Sequence, residues 1–171
     1  TDVFTNDGGT YSITGSTVNG TNIYKGTGTG SLTIDDCNFT ATDQAISTSD
    51  TMSLTNSTVK GGTYALYYNG TNDITLEDMT FTATTALYNN SGKKITVIGD
   101  MIFNGAVTNN SGTFQIETGR ITGAFGNSGT AIVKNIPIGG AVTNNNNLTI
   151  SDVSVGSSFS NGGTTTAQNL T

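Results

Sequence analysis

The sequence has no histidine, no tryptophan, one cysteine, one proline and only six lysines and arginines among its 171 residues. Hydrolysis or lyase chemistry would need clustered carboxylates or a bound metal. Cys37 stands alone, so no intrachain disulfide can form. As a free cysteine it is expected in the core, as a small buried hydrophobe. The six cations are Lys25, Lys60, Lys93, Lys94, Arg120 and Lys134, and only Lys93 and Lys94 are adjacent. With a formal charge of −6 and a pI near 4.1, the chain lacks the basic footprint that nucleic-acid binding requires. No apolar run approaches the length of a membrane span. No signal-like stretch opens the sequence either, which does not locate the protein.

Charged residues are also scarce, at 11% against about 25% in an ordinary soluble domain. Their place is taken by 34 Thr, 23 Gly and 20 Asn. Hydrophobic residues, at 33%, are few enough to suggest disorder if they were scattered. They are strictly periodic instead.

Residues 148–164 show the unit: an apolar pair two apart (Leu148, Ile150), a turn, a second pair (Val153, Val155), a turn, then a small residue and an apolar one (Ser158, Phe159). An Asn/Gly turn closes it. The unit recurs from Tyr11, Leu32, Met52, Ile74, Ile95, Phe114 and Ala131, at spacings of 21, 20, 22, 21, 19, 17 and 17 residues. The first copy, Tyr11, Ile13, Ser16, Val18, Asn22 and Ile23, is the weakest. Alternation over three to five residues is the β period with one face buried. Such short strands become stable when equivalent strands stack about 4.8 Å apart and pair in register. The expectation is an all-β chain forming one parallel solenoid domain over 1–171. It has about eight to nine coils of 17–22 residues, three short strands per coil, and no terminal caps.

The columns of this stack can be read off. The second strand places Val18, Phe39, Val59, Phe81, Phe103, Ile121, Ile138 and Val155 inward. These are mostly β-branched and aromatic, the types that fit a pleated, half-buried surface. Ala45, Ala65, Ala86, Ala106, Ala124, Ala141 and Ser158 would fill a tight inward corner. The first turn carries Asp36, Asn56, Asp78, Asp100, Asn135 and Asp152, residues that tolerate left-handed backbone. The third turn carries Asn89, Asn109, Asn127 and Asn144, with Asn161 one place later, a spacing that allows hydrogen bonding along the axis. Pro137 should cost a ladder bond and introduce a bulge or kink.

Candidate sites are sparse. Asp35-Asp36 and Glu77-Asp78 occupy equivalent turns two coils apart, about 10 Å along the axis, near the 6.5–9.5 Å carboxyl spacing of inverting glycosidases. The recurrence of Asx in that turn favours local backbone satisfaction, so no catalytic residue and no cofactor are expected. Oxygen-rich turns make calcium a candidate ligand, but the Gly/Asp nonapeptide of calcium-binding rolls is absent. A flat Thr array able to order ice would need an unbroken row. The row Ser12, Thr33, Ser53, Thr75, Thr96, Gln115, Ile132, Thr149 degrades after five coils. Asn-x-Ser/Thr occurs at Asn19, Asn38, Asn56, Asn69, Asn89, Asn109, Asn147 and Asn169, as expected of this composition. Tyr64, Tyr67, Tyr68 and Tyr88 gather on adjacent third turns as a candidate binding surface, with lateral packing as the competing reading.

The sequence ends in the middle of units. Val3-Phe4 matches a closing segment, one residue early against Ser158-Phe159. Residues 165–171 match an opening segment with Ala167 and Leu170 inward. Uncapped solenoid ends are templates for edge pairing. The expectation is that copies continue one another head to tail, as filament subunits or as tandem segments, with Val3, Phe4, Ala167 and Leu170 at the junction.

The units "LTISDVSVGSSFSNGGT" and "ITLEDMTFTATTALYNNSG" resemble the β-helical repeats of large bacterial surface adhesins and autotransporter passenger domains. The resemblance spans the chain and rests on pattern alone. It implies a right-handed parallel β-helix, an extracellular, non-catalytic structural or adhesive rod whose partners are its own copies or host and matrix glycans. A polysaccharide-binding or polysaccharide-cleaving β-helix is the alternative, and an ice-binding solenoid the second.

Overall fold

The computed structural model describes residues 1–171 and contains strands only, 23 of them, every pairing parallel. Each strand pairs with its equivalents in the coils before and after it, as a solenoid of about eight turns requires. The first whole coil shows the plan: Thr10–Thr14, Thr17–Gly20 and Asn22–Gly26. In later coils neighbouring strands fuse where the corner opens, as in Thr80–Asn89, Ile102–Asn109 and Asn147–Val155.

The inward column of the second strand runs in unbroken register from Val18 through Phe39, Val59, Phe81, Phe103, Ile121 and Ile138 to Val155. Phe81 stacks on Phe103 at 5.7 Å with planes 10° apart, and Phe114 packs against both Phe103 and Phe125. One cluster of 38 buried hydrophobic residues fills the rod from end to end. Each side chain stands above and below its equivalents, so the core is continuous although no single coil has a core of its own.

The first turn behaves as its composition dictates. Asp36, Asn56, Asp78, Asn135 and Asp152 have φ between 49° and 55°, and Asn169 extends the series at 48°. In the fifth coil the left-handed position falls on Gly99 (φ 71°) rather than on Asp100, because that turn holds one extra residue. Cys37 is buried in the column beside this turn, and its thiol donates to the Asp35 carbonyl at 3.2 Å.

The structure corrects three local expectations. In the first coil the inward pair is Ile23 and Tyr24, not Asn22 and Ile23. Tyr24 pairs with Ile46 and Phe4, while Asn22 aligns with Asp2. The small-residue column is also not one column. Ala45, Ala65 and Ala86 are fully buried, but Ala106 pairs with Thr85, one place earlier, across a register shift. Coils of 20–22 residues therefore insert an extra inward residue at this corner, which the 17-residue coils omit. Ala124 and Ser158 consequently face outward. Finally, Pro137 causes no bulge. The strand shortens to Pro137–Ile138, with proline at its first, exposed position, and pairing continues through Ile121–Ile138 and Ile138–Val155.

Candidate stacking and binding sites

The end of the third strand carries one inward position per coil: Asn6, Gly26, Thr48, Tyr68, Asn89, Asn109, Asn127, Asn144 and Asn161. In its second half this position forms a buried amide ladder. Nδ2 of Asn89 donates to Oδ1 of Asn109, Asn109 to Asn127, Asn127 to Asn144, each at 2.8 Å, and Asn144 to Asn161 at 2.9 Å. The second amide hydrogen goes to backbone carbonyls, such as Thr130 O for Asn109 and Asn147 O for Asn127. Asn161 sits in this column rather than one place later. The ladder has a direction, with every donor pointing toward the C-terminal coil. Asn89 and Asn109 are two of the eight sequons, and burial in the ladder removes both as glycan acceptors in the folded chain.

In the first coils the ladder is replaced by a different buried polar group, which sequence reading missed. Gly26 has no side chain, and a Cβ there would collide with Asp50 and Thr48. Asp50 occupies that space, fully buried, and accepts from the Tyr24 hydroxyl at 2.6 Å, Asn6 Nδ2 at 3.0 Å and Gly30 N at 3.1 Å. Burial first, then the hydrogen bond to Asp50, pushes the Tyr24 phenol well above its usual value. The only signal in the sequence is a glycine where other coils carry a filling residue.

The tyrosine group divides. Tyr68 is fully buried and donates to the Asn72 carbonyl at 2.6 Å, so it leaves the surface set; burial is also the main reason its phenol is raised. Tyr64, Tyr67 and Tyr88 stay half-buried on the outer face. Tyr67 and Tyr88 stack at 5.3 Å with planes 6° apart, and Tyr64 meets them edge-on at 5.5 and 5.8 Å. Outside them, Asn69, Asn90 and Asn110 make a short exposed ladder.

Two of the carboxylates weighed for chemistry, Asp35 and Asp78, are engaged by the equivalent turn of the next coil. Asp35 accepts from the Thr55 hydroxyl at 2.7 Å and Asn56 Nδ2 at 3.0 Å, which lowers its pKa. Asp78 accepts from the Asp100 amide at 2.7 Å. Glu117 is held low by Lys134, its ion-pair partner at 3.1 Å, and by Gln115. No group of three or more carboxylate or thiol side chains converges as a metal cage would require. The Thr/Ser row from Ser12 to Thr149 is in register, with Gln115 and Ile132 interrupting it.

At the ends, Phe4 lies in the column of Val142 and Phe159, so the apparent one-residue offset is absorbed in the turn between Asn6 and Thr10. Phe4 is half-buried against Tyr11 at 5.9 Å, and Val3 is 43% exposed. Ala167 and Leu170 stand over Ile150 and Val153 in the inward columns, Ala167 exposed and Leu170 half-buried. No helix is long and apolar enough to cross a membrane. Compared with protein-family models, curated proteins and solved structures, the chain matches none.

Proposed function

We propose that this chain is a non-catalytic structural or adhesive rod of an extracellular or cell-surface assembly, in which copies continue one another head to tail, as filament subunits or as tandem segments of a longer protein. The resemblance to surface adhesins and autotransporter passengers supports the setting. The observation that carries the stacking is the polarity of the amide ladder. Asn161 Nδ2 donates to Gly163 O and to no other group, leaving one hydrogen directed along the axis. Asn6 occupies the same column at the opposite end, and its Oδ1 accepts from Gly9 N with one lone pair unused. A coil resuming at Asn6 would continue both the ladder and the parallel strands. A tail-to-tail union would oppose donor to donor. Val3, Phe4, Ala167 and Leu170 would then be covered by the neighbouring coil.

Electron microscopy of the purified chain at rising concentration tests this. The expected result is unbranched filaments with an axial repeat of about 43 Å, nine strand spacings. Isolated short rods at every concentration would overturn self-stacking.

A further inference from the structure

The outward position of the third strand runs Lys25, Ser47, Tyr67, Tyr88, Thr108, one residue per coil. Tyr88 covers one face of the Tyr67 ring. The other face looks toward the preceding coil, where Ser47 supplies only a hydroxymethyl group. One coil further, Lys25 forms the opposite wall. The result is an open notch of about 260 Å³ between Lys25 and Tyr67, floored by Ser47 and flanked by Thr27, Ser49 and Asn69. Its walls stand two strand spacings apart, about 10 Å. A smaller depression of about 130 Å³ adjoins it through Lys25 and Ser47.

The chemistry of the lining is specific. A free aromatic face offers stacking area to the C–H face of a pyranose ring. Thr27, Ser47 and the Asn69 amide offer both donors and acceptors, as sugar hydroxyls require. Ser49 gives its hydrogen to the Gly28 carbonyl at 3.2 Å and keeps its lone pairs for the notch. Lys25 is exposed and forms no ion pair, the only one in the chain being Lys134–Glu117. In a chain of net charge −6, an unpaired ammonium beside a free aromatic face selects a local anion.

We propose that this notch is a subsite for an acidic sugar, a pyranose bearing a carboxylate, within a surface glycan. The ring stacks on Tyr67, its hydroxyls exchange hydrogen bonds with Ser47 and Asn69, and its carboxylate faces Lys25. The inference rests on the adhesive part of the reading above and does not depend on stacking.

The test is calorimetric titration of the whole chain with a galacturonate trimer and, as control, a neutral maltotriose. The uronate is expected to bind saturably, in the millimolar range or tighter, and the neutral trimer about tenfold more weakly, a difference of about 1.4 kcal/mol. Tyr67→Ala should weaken the uronate about tenfold or more. Lys25→Gln should weaken the uronate and leave the neutral sugar unchanged. Ser47→Tyr separates binding from folding. It extends the existing tyrosine stack on an outward position and fills the notch, so circular dichroism should stay native while binding disappears. No saturable binding, equal affinity for both trimers, or uronate binding that survives Ser47→Tyr would each overturn the proposal. Filament formation by Ser47→Tyr should match the parent chain, so failure of the subsite and failure of stacking are read separately.

Discussion

Asn109 donates to Asn127 over 2.8 Å at the centre of the rod, and both amides are buried. Asn109 also accepts from Asn89 and donates to the Thr130 carbonyl. Its removal therefore strands partners on two neighbouring coils.

Asn109→Ala should cost about 2–4 kcal/mol, more than an ordinary hydrogen bond, because buried donors and acceptors are left unmet. Asn109→Asp should be at least as harmful, since an ionised carboxylate turns an oxygen toward Asn127 Oδ1 in place of a donor. Thermal unfolding followed by circular dichroism checks both. A double-mutant cycle with Asn127→Ala should show strong coupling, because the two residues share one bond. Losses that simply add would mean the ladder is not cooperative.

The alkaline limb of stability is set by Tyr24 and Tyr68. Both phenols are raised in the folded chain above the unfolded value near 10. A raised acid binds its proton more tightly when folded. Its contribution is thus complete below about pH 10 and is lost as pH rises through the folded value. Ultraviolet titration should show these two phenols ionising together with unfolding. Tyr24→Phe should flatten the pH dependence above about pH 10. It should also cost about 1.5–3 kcal/mol at neutral pH, since Asp50 loses its shortest donor.

Asn135 holds φ 54° at the first turn, and its side chain makes no hydrogen bond. Asn135→Gly should be neutral or stabilising by up to about 1 kcal/mol, because glycine adopts that backbone freely. Asn135→Val should lose about 1–2 kcal/mol through the clash of a branched Cβ in the left-handed region. Urea midpoints of the two variants against the parent decide it.

Period, coil count, the second-strand column and the amide ladder are all legible in the sequence, because each is a repeated choice at a fixed spacing. Positions that differ between coils are not. The shift that separates Ala86 from Ala106 adds one residue to the longer coils, and pattern matching absorbs it by sliding the alignment. Tyr68 reads as a surface residue beside Tyr67, yet the alternation after the paired inward residues Ala65 and Leu66 turns it into the core. The Asp50 group brings together residues up to 44 positions apart and occurs once, so no periodicity announces it. The notch beside Tyr67 depends on what Ser47 lacks, which becomes visible only when the two residues are known to be vertical neighbours.

Backbone hydrogen bonds in this rod point along its axis, from each coil to the next. Tension applied to the two chain ends therefore meets them one coil at a time. Peeling off a coil of 17 residues pays out about 60 Å of chain, and one of 22 residues about 75 Å. Because coil length falls toward the C-terminus, force–extension traces carry a signature of position. Short steps mark the C-terminal end and long steps the N-terminal half. The rod is thus a graded tether that yields length in discrete parcels while the coils still stacked stay folded.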